Sequence, residues 1–140
     1  MGKLKDKASR YSETFGADIP LSDEVNRAKK ANKIRAVLEQ EGITFDTNIR
    51  ILDIGCSYGH ILKALTPANS FGVGLDYDKN IGDNQDNVVF IRADAENLPF
   101  PSRSFDIVIC NHVYEHTDSP ESMLSEIKRV LTDTGICYFA

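Results

Sequence analysis

No segment of this chain approaches the ~20 consecutive apolar residues needed to cross a bilayer. The opening residues, MGKLKDKASR, hold no apolar h-region. These absences point to a cytoplasmic protein without membrane insertion. Cysteine is sparse: Cys56, Cys110 and Cys137 form no CxxC pair and no zinc-ligand spacing. Each falls in or beside an expected buried strand, where a thiol acts as a small hydrophobe. An excess of positive charge is also missing. The formal net charge is −5, and the one basic series, Arg27, Lys29, Lys30, Lys33 and Arg35, reads as a solvated helix face. An acidic chain without a larger basic patch is poorly suited to phosphate backbones, so nucleic acid is not the expected partner. Internal repeats and low-complexity stretches are absent as well.

What is present suits one globular domain: 140 residues, 41% hydrophobic and 26% charged. Residues 1–21 read as a polar N-terminal arm carrying Tyr11, and residues 22–140 as the folded domain. Ser22 is a good N-cap with Asp23 and Glu24 behind it. Val25, Ala28, Ile34, Val37 and Leu38 then recur near helical spacing, and Gly42 ends the helix.

From residue 49 short apolar strands alternate with helices. The strands fall at Ile49–Ile54, Phe71–Leu75, Val88–Arg92, Phe105–Cys110 and Ile136–Phe139. A short helix is expected at His60–Leu65. A longer one opens at Ser119-Pro120, with an apolar stripe of Met123, Leu124, Ile127, Val130 and Leu131. Continuously apolar strands between helices mean a mainly parallel sheet covered on both faces. The expectation is a doubly wound α/β fold with five strands in the order 3-2-1-4-5. Ligands of such folds bind outside the carboxyl ends of the strands.

The chemistry-bearing residues fall at those ends. Asp53-Ile54-Gly55-Cys56-Ser57-Tyr58-Gly59 closes the first strand and leads into a helix. A dinucleotide fingerprint needs G-x-G-x-x-G. Counted from Gly55, Ser57 and His60 stand where its second and third glycines belong. The second strand ends in Asp76, about 20 residues past Gly55, where an acid can accept from both hydroxyls of a ribose. Asp78, by comparison, reads as an exposed turn residue. The third strand leads into Asp94-Ala95-Glu96-Asn97-Leu98-Pro99-Phe100. The fourth is followed by Asn111-His112-Val113-Tyr114-Glu115-His116, which matches the H-x-x-E-H zinc pattern only in letters. That motif needs both histidines on one helical face and a third ligand, so no metal is expected.

Taken together, these motifs resemble class I S-adenosylmethionine-dependent methyltransferases, and the Asp-Ala-Glu-x-Leu-Pro-Phe stretch is similar to a group that includes quinone-biosynthesis enzymes. The resemblance covers residues 49–139. It departs from the family at Ser57, in place of the middle glycine, and at Asp133-Thr134-Gly135, in place of Pro-Gly-Gly.

The resemblance implies S-adenosylmethionine as cofactor. Gly55 and Gly59 would form the turn beneath it, and Asp53 would face its amino end. Asp76 would hold the ribose, Asp94 and the Ala95 N–H the adenine, and Asn111 would line the site. His112, then His116, would be the base where the acceptor needs one. Glu115 or His116 could equally serve to hold the loop. A small-molecule acceptor is expected. A non-catalytic cofactor-binding module is the alternative, and a nucleotide-dependent oxidoreductase is disfavoured. The family usually adds a sixth and a seventh strand after the fifth. Without them the fifth-strand edge would invite a second copy of the chain, and the sequence is expected to be C-terminally incomplete.

Overall fold

The structure is a computed structural model that describes residues 21–46 and 48–140, with side chains from residue 25 onward. The expected arm, Tyr11 included, lies outside the described residues apart from Leu21.

Helix α1 (Leu21–Gln40) begins one residue before the expected cap, so Ser22 lies inside it. Its end is a Schellman turn. Gly42 takes φ 90°, its N–H donates to Glu39 O, and the Ile43 N–H donates to Leu38 O. The buried face is Ala31, Ile34 and Leu38, the i, i+3, i+7 stripe of a helix lying on a sheet. Three residues expected on that face are not there: Val25 is 58% and Val37 38% exposed, and Ala28 is exposed too. At about 100° per residue they project away from the stripe.

The strands are β1 (Arg50–Ile54), β2 (Phe71–Asp76), β3 (Val88–Arg92), β4 (Phe105–Cys110) and β5 (Leu131–Phe139). They pair in the order β3-β2-β1-β4-β5, all parallel. Alternation along each strand splits the core in two. Ile51, Ile107 and Ile109 face α1 and α2 (His60–Leu65), whereas Leu52, Ile54, Val108 and Cys110 face α3 (Pro120–Val130). Each fully buried aliphatic side chain contributes about 1.5–3 kcal/mol, which is what holds helices on both faces. The sheet therefore has the expected order and layering.

Two details differ from expectation near β5. The strand starts at Leu131, which pairs with Phe105 instead of extending the helical stripe. Between there and the Ile107–Ile136 pair, β4 advances two residues and β5 five, so residues around Asp133-Thr134-Gly135 bulge out. Leu124 is exposed, because it lies one residue round the helix from buried Met123.

At the amino end of the sheet Arg50 forks onto Asp106, with Nε to Oδ2 at 3.1 Å and Nη2 to Oδ1 at 3.0 Å. This pins β1 against β4 at the edge opposite the loops described next. No helix among the described residues is long and apolar enough to cross a membrane.

Candidate functional site

The turn after β1 uses the left-handed region three times: Gly55 at φ 73°, Ser57 at φ 49° and Gly59 at φ 75°. Both glycines are also needed for space. A Cβ on Gly55 would collide with Val113 Cγ2, and one on Gly59 with the Phe90 ring. Ser57, where the family has a glycine, keeps the glycine-like backbone. That costs a non-glycine residue roughly 1–2 kcal/mol. Hydrogen bonds hold the turn in place. The Gly55 and Cys56 N–H groups both donate to Leu75 O, at 2.7 and 3.1 Å. The Ser57 N–H donates to Asp76 Oδ2 at 2.9 Å.

Asp76 is 5% exposed and its other oxygen accepts from the Asp78 N–H at 3.1 Å. Burial raises its pKa, and the Asp78 and Ser57 donors oppose the rise. Asp78 is itself buried, contrary to the sequence reading. Its Oδ1 accepts from the Asn80 N–H, folding the chain back after β2. Asp53 is 4% exposed. Burial, and then the neighbouring charge of Asp76, push its pKa up to about 8, with Arg27 pulling the other way.

The loop after β4 is equally constrained. Among the described residues, Asn111 Oδ1 is buried without a hydrogen-bond partner. His112 stands at φ 55°, a strained backbone for a histidine. Residues Tyr114–His116 form a single 3₁₀ turn, so His112 and His116 do not share an α-helical face. Among the described residues no three His, Cys, Asp or Glu side chains are grouped to hold a metal ion.

The loop is held from outside by Glu96. Its Oε1 accepts from the Asp118 N–H at 2.7 Å and the Ser119 N–H at 3.1 Å, at the start of α3. Farther along the same segment, Arg129 donates to Phe100 O and Leu98 O while pairing with Glu126. Glu115 is exposed.

One cavity of about 220 Å³ opens at the carboxyl ends of β1, β2 and β4. Asp53, Gly55, Asp76, Asn111, His112 and His116 all line it. Gly59, Asp94 and Ala95 do not. Gly59 caps α2 against Phe90. Asp94 Oδ1 accepts from the Glu96 N–H, and Ala95 is buried among the α3-side core residues. The cavity also recruits Arg27 and Lys30 from α1, which the sequence reading left on a solvated face. The signal was available: Arg27 stands four residues before Ala31 and seven before Ile34, so it continues the buried stripe.

A sulfonium-bearing nucleoside fits this donor and acceptor set. Two buried carboxylates and an orphaned amide oxygen face the cavity, and the glycine turn brings backbone close to its floor.

Residues 52–139 match the family model described as a methyltransferase domain. A fatty-acid O-methyltransferase of Mycolicibacterium smegmatis is 31% identical, over 89% of this chain and 48% of that protein. The phthiotriol/phenolphthiotriol dimycocerosates methyltransferase of Mycobacterium leprae is 34% identical, over 93% and 50%. The crystal structure of the YcgJ protein of Bacillus subtilis aligns with a TM-score of 0.56 at 31% identity, over 63% of this chain and 42% of that one. The chain spans half or less of the length of each of these relatives.

Proposed function

The chain belongs to the class I S-adenosylmethionine-dependent methyltransferases, and we propose that its cavity binds S-adenosylmethionine and passes the methyl group to a small-molecule acceptor. One observation carries the reading: Asp53 and Asp76, both buried, face one cavity at the ends of adjacent strands. Burial and the charge of Asp76 raise the Asp53 pKa in the free protein, and a ligand that brings donors and positive charge would stabilise both groups as carboxylates.

In this reading Asp76 accepts from the ribose hydroxyls with the lone pairs left over from its two backbone donors. Asp53 and Asn111 Oδ1 face the ammonium end of the methionine moiety. Asp94 and the Ala95 N–H, at the end of β3, serve the adenine, as the family resemblance implies. The cofactor supplies a methyl group on a positively charged sulfur, already activated for transfer. The protein's work is then mostly positioning, a contribution of roughly 7–11 kcal/mol where geometry is well held. His112 is the proposed base for an acceptor hydroxyl, with His116 second. A carboxylate acceptor would need neither. Two relatives are named for a fatty acid and for phthiotriol/phenolphthiotriol dimycocerosates.

Calorimetric titration tests the cofactor. S-adenosylmethionine and its demethylated product S-adenosylhomocysteine should bind, and NAD should bind far more weakly. Equal or tighter NAD binding would overturn the reading. Transfer of labelled methyl from the cofactor into the small-molecule fraction of a cell extract tests the reaction.

A further inference from the structure

Arg27 and Lys30 bring positive charge to a cavity whose floor is acidic, and the two cations are not equivalent. Arg27 acts on Asp53, lowering that carboxyl's pKa. Lys30 has no such counterpart among the described residues. Its own pKa is lowered by burial and then by Arg27 and Lys33. Among the described residues its side chain makes no ion pair or hydrogen bond, although it lines the cavity wall.

Helix geometry shows which side of the cavity Lys30 faces. Relative to the Ala31/Ile34/Leu38 stripe, Arg35 lies about 70° to one side and Lys30 about 70° to the other. Arg35 Nη2 donates to Ala64 O, so its side is the α2 flank, over β1 and β2. Lys30 therefore stands on the opposite flank, toward β4 and β5, where Asn111, His112 and His116 rise. That is the side away from Asp76 and the proposed ribose position.

We propose that Lys30 holds a carboxylate on the methyl acceptor, so that this site selects small carboxylic acids over neutral analogues. The proposal rests on the methyl-transfer reading above. With Arg27, beside Asp53, left to meet the carboxylate of the cofactor's methionine moiety, the Lys30 ammonium, without an ion-pair partner among the described residues, matches one negative charge. A phosphate monoester carries close to two at neutral pH, and a dianion would meet Asp53 and Asp76 in the same cavity. The apolar lining from Ile61 and Val113 suits the hydrocarbon body of a carboxylic acid.

The test uses the whole chain and three probes: hexanoate, hexan-1-ol and inorganic phosphate. Each is titrated with and without saturating S-adenosylhomocysteine. Hexanoate should bind at least about tenfold more tightly than hexan-1-ol, the scale of one charge-assisted hydrogen bond. Lys30→Gln should weaken hexanoate by a similar factor, and Lys30→Arg should keep it within about threefold. Neither variant should alter the affinity for S-adenosylhomocysteine. Equal binding of hexanoate and hexan-1-ol overturns the proposal. So does a Lys30→Gln protein that binds hexanoate as the unmodified chain does, or phosphate binding tighter than hexanoate. A chain that fails to bind S-adenosylhomocysteine overturns the cofactor reading instead. The hexanoate comparison made without that ligand still decides the role of Lys30.

Discussion

The backbone N–H of Ser57 donates to Asp76 Oδ2 at 2.9 Å, tying the turn after β1 to the end of β2. Asp76 thus shapes the turn as well as facing the cavity. The Ser57 N–H points at that carboxylate, so the residue that departs from the family pattern is held by the acid at the end of β2.

Removing Asp76 should therefore act twice. Asp76→Ala is expected to weaken S-adenosylhomocysteine by about tenfold or more, the scale of a lost charged acceptor, and to loosen the turn. Asp78→Ala keeps the backbone N–H that reaches Asp76 and loses only the cap on Asn80. It should cost about 1 kcal/mol of stability with little change in affinity. Calorimetry and thermal melts on both variants separate the two effects. Equal affinity losses would mean that Asp76 is not the ribose acid.

Asp53 should make ligand binding depend on pH. With its pKa pushed up to about 8, the carboxyl is mostly protonated at neutral pH in the free protein. An ammonium group beside it favours the charged form, so binding releases a proton. Affinity for S-adenosylhomocysteine should rise between about pH 6 and 8 by up to about tenfold per pH unit, then level off. Asp53→Asn should flatten this profile.

The same carboxyl has a second consequence for the free protein. Its folded pKa lies above the unfolded value of about 4. Its contribution to stability is therefore fully present below about pH 4 and is lost as pH rises toward 8. Over that window Asp53→Asn should gain on the parent chain as pH increases. A melting-temperature difference independent of pH would contradict the assignment.

His112 combines a strained backbone with the proposed role of base. His112→Gly removes the strain of φ 55°, so the folded protein should gain up to roughly 1 kcal/mol. Turnover on a hydroxyl acceptor should fall, with affinity for S-adenosylhomocysteine nearly unchanged. A large loss of affinity would assign His112 to binding.

Glu96 should control the loop after β4. Glu96→Ala removes the acceptor for the Asp118 and Ser119 N–H groups and is expected to cost roughly 2 kcal/mol. Amide exchange should quicken at residues 118 and 119 before it does in the sheet. Glu96→Gln, which keeps an acceptor oxygen, should recover part of the loss.

The sheet and the acids at its edge are legible in the order of residues alone. Apolar runs of five or six residues closed by Gly55, Asp76 or Asn111 are too short for core helices, and alternating with helical segments they read as buried parallel strands with loops at one end. The strand order followed from that pattern and the family resemblance. Tertiary structure decided what depends on who stands opposite. Lys30, about 70° off the buried stripe, reads as a solvated residue until α1 lies across the sheet beside α2 and brings it to the cavity. Asp78 read as exposed until its own turn buried it. Glu96 carried no signal of its role, because its partners at Asp118 and Ser119 lie more than twenty residues away. The raised pKa of Asp53 likewise required Asp76 and the buried floor of the cavity to be in place. Electrostatic environment and long-range hydrogen bonds are set by distance in space, and spacing along the chain does not encode that distance.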